Sequence, residues 1–88
     1  MHDYIVTFLT HFGASLFLRR MTGKFPGLQL QPTPRVLSAS CGVCAAFRAG
    51  ESTECDTISL VSALAEESEA EALYRRTASG YDRLLTFD

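Results

Sequence analysis

Lysine is almost missing from this chain: Lys24 is the only one, and lysine and arginine together number eight against ten acids, for a net charge of −2. Nucleic acid attracts faces rich in Lys and Arg, so this balance argues against a nucleic-acid partner. Long apolar runs are also missing. None approaches the ~20 residues needed to span a bilayer, so no membrane partner is expected. The first residues, Met1-His2-Asp3-Tyr4, carry an acid where a secretory leader carries basic residues, and the apolar stretch that follows is broken by Thr7, Thr10 and His11. The expected compartment is the cytoplasm. Cysteines are few and odd in number, at three. Without a secretory leader they argue for reduced thiols rather than a disulfide framework.

What is present suffices for a fold. Of the 88 residues 47% are hydrophobic and 20% charged, a composition able to bury enough apolar surface to offset chain entropy. The length allows a single domain over residues 1–88, because two would leave neither half a core.

Residues 3–9 are β-branched and aromatic and predict a strand with apolar side chains on both faces. The period then changes. Ala14, Phe17, Leu18 and Met21 recur at helical spacing, which predicts an amphipathic helix over 11–22, capped by Thr10 and stopped by Gly23. Residues 28–33 alternate and end in proline, as an edge strand does, and residues 43–49 alternate again up to Gly50. Residues 51–61 read as a loop leading into a helix. The Ala-, Glu- and Leu-rich stretch 62–79 predicts that helix, ending at Gly80, and 81–87 predicts a closing strand. The order β-α-β-β-α-β predicts an α+β, ferredoxin-like sandwich, with a four-stranded antiparallel sheet and both helices on one face. That fold hosts many functions, so function has to come from a site.

The loop between the second and third predicted strands offers one. In Pro34-Arg35-Val36-Leu37-Ser38-Ala39-Ser40-Cys41-Gly42 a thiol sits among two hydroxyls, a cation and a glycine. A thiolate is the nucleophilic form, and positive charge or N–H donors lower its pKa. Ser38, Ser40 and the Gly42 N–H are candidate donors to an anionic sulfur on Cys41, Arg35 would add positive field, and Gly42 would permit a left-handed backbone. The alternative is a small buried Cys41 flanked by ordinary turn formers.

These residues, with Tyr4-Ile5-Val6-Thr7-Phe8 opening a strand, resemble the small bacterial selenium/sulfur carrier-like family, which has a Ser-Ser-Cys-Gly-like loop. The resemblance covers roughly residues 4–49. It departs from the family in Cys44, which makes a Cys-x-x-Cys, and in a longer 51–61 segment. The resemblance implies that Cys41 carries sulfur or selenium, supplied by a donor such as a cysteine desulfurase and delivered to an acceptor protein. No cofactor is implied, and the protein is expected to be a carrier rather than a turnover enzyme.

Two other uses of the cysteines compete. Cys41 and Cys44 could form a dithiol pair with Cys44 as resolving thiol. However, thioredoxin-type pairs open a helix, and in an extended segment residues three apart lie about 10 Å apart on opposite faces. Cys41, Cys44 and Cys55 with His2 or His11 could ligate zinc, but the spacing lacks a second paired knuckle, so no metal is expected. The acids at Glu66, Glu67, Glu69 and Glu71 read as a solvated helix face.

Three functions therefore stand side by side: a single-cysteine sulfur or selenium carrier, a non-catalytic interaction or regulatory module, and a dithiol oxidoreductase. The apolar residues on both faces of 3–9 further predict a homodimer or higher assembly.

Overall fold

The computed structural model describes residues 2–23, 25, 27–37, 42–50 and 54–87, with the backbone alone for 54, 55 and 64–68. The elements are β1 (His2–Phe8), α1 (His11–Met21), β2 (Gln29–Pro32), β3 (Val43–Ala49), α2 (Glu54–Ser68), β4 (Ala70–Thr77) and β5 (Gly80–Thr86). The five strands form one antiparallel sheet in the order β2-β3-β1-β4-β5, so the chain is α+β.

Alternation along β1 and β3 decides which face is covered. Tyr4, Val6 and Phe8 point to the same side as Ala45, Phe47 and Ala49, where they meet Ala14, Phe17 and Met21 of α1, Val61 of α2 and Leu73 of β4. Both helices therefore lie on this face, in contact with each other. Tyr4 stacks on Phe47 at 5.6 Å between ring centroids, and Phe8 meets Phe17 at 5.4 Å. Each fully buried aromatic or aliphatic side chain here stabilises the fold by about 1.5–3 kcal/mol.

The first half follows the sequence closely. Thr10 caps α1 by accepting from the Gly13 N–H at 3.1 Å, and Gly23, at φ 87°, carries the chain out of the helix. The second half differs from the expectation. The predicted helix over 62–79 is divided: α2 starts at Glu54 and ends at Ser68, and Ala70–Thr77 is a strand. The sheet consequently has five strands rather than four, with the predicted closing strand forming β5, a hairpin partner of β4.

The break falls at Glu69, which adopts φ 55°. A left-handed backbone costs a non-glycine residue about 1 kcal/mol or more, and two bonds hold it there. The Leu9 N–H donates to the Glu69 carbonyl at 2.9 Å, and the Thr10 hydroxyl donates to Glu69 Oε1 at 3.1 Å. The turn after β1 thus fixes where α2 gives way to β4, which pairs with β1. No helix among the described residues is long and apolar enough to cross a membrane.

Candidate functional site

The face of the sheet away from the helices carries the alternate residues of the same strands. Register places Gln29, Ala46, Ile5, Tyr74 and Arg83 in one row across it, with Gln31, Cys44, Thr7 and Ala72 in the next. At the His2 end, Arg48 lies opposite Asp3 and Arg76 opposite Tyr81. Leu37, from the β2–β3 connection, covers the other end.

That connection is fixed on both flanks. The Thr33 N–H donates to the Gly42 carbonyl at 2.9 Å, one step beyond the Pro32–Val43 pair, so the β2–β3 ladder continues to the base of the loop. The Leu37 N–H donates to the Pro34 carbonyl at 3.0 Å, closing a turn with Arg35 and Val36 exposed at its corner. Leu37 turns back onto the sheet and packs with Ile5 and Cys44, beside Ala46, Tyr74 and Tyr81. Residues 38–41 are the short link between these two anchors.

Ser38, Ser40 and Cys41 lie outside the described residues. Arg35 is exposed on the turn. Gly42 corrects an expectation: its φ is not left-handed, and a Cβ added there would meet open space. Its bond to Thr33 holds it on the strand ladder, which needs an extended rather than a left-handed backbone.

Cys44 is fully buried under Leu37, its thiol directed to the Pro32 carbonyl at 3.9 Å. The segment from Val43 onward is a strand, not the helix start that activates a dithiol pair. His2 pairs opposite Ala49 and Cys44 opposite Thr7, which puts these two candidate ligands about 16 Å apart along the sheet, too far to share one ion. His11 is exposed at the start of α1, and the Cys55 side chain is among those left undescribed.

Of the residues alternating onto the open face from β1, Ile5 is 3% exposed and Thr7 1%, whereas Leu9, just beyond the strand, is 50% exposed. Sequence reasoning missed the part of this face that comes from β4, whereas the strand expected over 81–87 is β5. The helix expected over 62–79 takes in Tyr74 and Arg76, although the spacing of Ala72, Tyr74 and Arg76 has the period of a strand. No family model, curated protein or solved structure matches the chain.

Proposed function

We propose that the protein is a carrier that holds sulfur or selenium as a persulfide or selenosulfide on Cys41 and delivers it to an acceptor protein, on a ferredoxin-like frame. The strand order β2-β3-β1-β4 is the one that a β-α-β-β-α-β chain of this class adopts, and β5 extends it by a hairpin. The observation that carries the functional reading is the Ser38-Ala39-Ser40-Cys41 segment set between two fixed flanks, Leu37 packed on the sheet and Gly42 on the ladder.

In the transfer step the Cys41 thiolate attacks the outer sulfur of a persulfide on a donor of the cysteine desulfurase type. The donor's S–S bond breaks, its thiolate leaves, and Cys41 keeps the outer sulfur; no oxidant is consumed. Ser38, Ser40 and the Gly42 N–H stabilise the charged adduct, and Arg35 adds positive field. Exposed Leu9 and Val36 lie in the connections at this end of the sheet and exposed Phe12 in the first turn of α1, where a partner protein would approach the loop. The burial of Cys44 favours a single-cysteine carrier over a dithiol oxidoreductase. A non-catalytic interaction module is the second reading, favoured by the sheet face that neither α1 nor α2 covers.

Intact-mass measurement after treatment with a sulfane-sulfur donor tests the carrier. One added sulfur is expected, lost in Cys41→Ser and retained in Cys44→Ser and Cys55→Ser. Loading that survives Cys41→Ser, or needs Cys44 equally, rejects it. If no cysteine loads, the interaction module is the better reading.

A further inference from the structure

The open face carries a feature that sulfur transfer does not use. Next to the patch that Leu37 covers lies a trough of 220 Å³, its walls including Gln29, Gln31, Arg48, Arg76 and Tyr81. At ~30 Å³ per water molecule this is room for roughly seven waters. Ala46, between Gln29 and Ile5 in its row, contributes only a methyl group to the trough's floor.

The polar groups around it are unevenly committed. Arg48 is engaged, its Nε donating to Asp3 at 3.0 Å. Arg76 makes no ion pair with a described residue, nor do Gln29, Gln31 or the Tyr81 hydroxyl spend their hydrogen-bonding capacity on one. The charge is segregated as well. Register assigns Arg48, Arg76 and Arg83 to this face against Asp3, a positive surface on a chain whose net charge is −2.

We propose that this trough binds a small organic anion. The anionic head, a carboxylate or phosphoryl group, pairs with the free Arg76 guanidinium beside the Tyr81 hydroxyl. A polar tail reaches the amides of Gln29 and Gln31, and the apolar body between them rests on Ile5 and Ala46. Strands β2 and β4 lie three spacings apart, about 14 Å. Arg76 and the glutamines, which line the trough from opposite sides, can therefore hold opposite ends of one small molecule. A guanidinium already facing a concave, partly apolar floor gives such a head a charge-assisted bond without first breaking an ion pair. A second copy of this chain is a poor occupant, since pairing two such faces opposes arginines to arginines. The site depends neither on Cys41 nor on the carrier reading.

Amide chemical-shift titration of the full chain distinguishes the outcomes, with glutarate and glycerol 3-phosphate as probes and glutaramide as the neutral control. Saturable binding is expected for at least one anion, with shifts centred on Ile5, Ala46, Arg76 and Tyr81. Preference for glutarate identifies a carboxylate head, and preference for glycerol 3-phosphate a phosphoryl head. Arg76→Gln should weaken binding about tenfold or more, as loss of a bond to a charged group does. Ala46→Leu should abolish it, and Arg19→Gln on α1 should leave it unchanged. Arg76 is exposed, so its variant keeps the fold. The proposal is overturned if neither anion saturates, if glutaramide binds as well, if the shifts lie elsewhere, or if Arg76→Gln binds normally.

Discussion

On the helix-covered face of β1 and β3, the residues are Tyr4, Val6, Phe8, Ala45, Phe47 and Ala49, all buried. On the opposite face the intervening residues are Asp3, Ile5, Thr7, Cys44, Ala46 and Arg48, which run from buried apolar to exposed and charged. A single residue step separates the two sets. The first is continuous and shielded by two helices, so its contribution is cohesion. The second is graded, closed at the loop end by Leu37 and open at the other, where polar groups keep unspent hydrogen-bonding capacity. Side chains that the fold does not need for stability are the ones free to bind something.

The largest expected effect lies on the covered face. Phe17 is fully buried against Phe8, so Phe17→Ala should destabilise the protein by about 3–5 kcal/mol. Urea unfolding read by circular dichroism would show a large fall in midpoint, or a chain that no longer folds. The comparison predicts a loss within about 0.5 kcal/mol for Arg83→Ala on the open face. Equal losses at the two positions would mean that the open face is structural after all.

Leu37 is where the two regimes meet, and an intermediate effect is expected there. Leu37→Ala removes the cover over Cys44 and should cost about 2 kcal/mol, the low end for a truncated core leucine because the site borders solvent. Its sharper readout is chemical. In a background with Cys41→Ser and Cys55→Ser, labelling of Cys44 by a thiol reagent should be slow with Leu37 and faster without it. Unchanged labelling would show that strand pairing, rather than Leu37, shields the thiol.

The two halves of the chain were unequally legible. The elements up to Ala49 were readable to within about two residues, because each is bounded by a local device: Thr10 at the start of α1, Gly23 after it, Pro32 at the end of β2 and Gly50 after β3. Beyond that point intrinsic preference misled. The stretch over 62–79 is rich in helix formers, yet Ala70–Thr77 pairs with β1 and β5, and tertiary pairing overrides propensity. The switch carries no glycine; it is made by Glu69, whose unusual backbone rests on bonds from Leu9 and Thr10, sixty and fifty-nine positions away in sequence. Gly80 was visible as a stop, but it opens β5 rather than closing a helix. The same error hid the part of the open face that β4 supplies. The loop fared differently: its flanks are where the sequence puts them, whereas Gly42 serves the ladder and not a left-handed turn.

The smallest effect is expected at the rim of the trough. Asp3 accepts from Arg48 Nε at 3.0 Å across the β1–β3 pair, with the two side chains 46% and 64% exposed. Solvent screens such a pair, so breaking it with Asp3→Asn should change stability by about 0.2–1 kcal/mol at most, and less in high salt. The electrostatic consequence is larger than the mechanical one. Losing Asp3 removes the acid that register sets among Arg48, Arg76 and Arg83 and releases Arg48, so the open face gains positive charge while the fold is nearly unaffected. The variant should therefore bind the probe anion more tightly than the parent, with an advantage that shrinks as ionic strength rises. Denaturation and anion titration on the same sample measure both quantities. A stability loss of several kcal/mol would place this pair with the covered face and erase the distinction between the two. Weaker anion binding would show that Asp3 orients Arg48 for the ligand instead of competing with it.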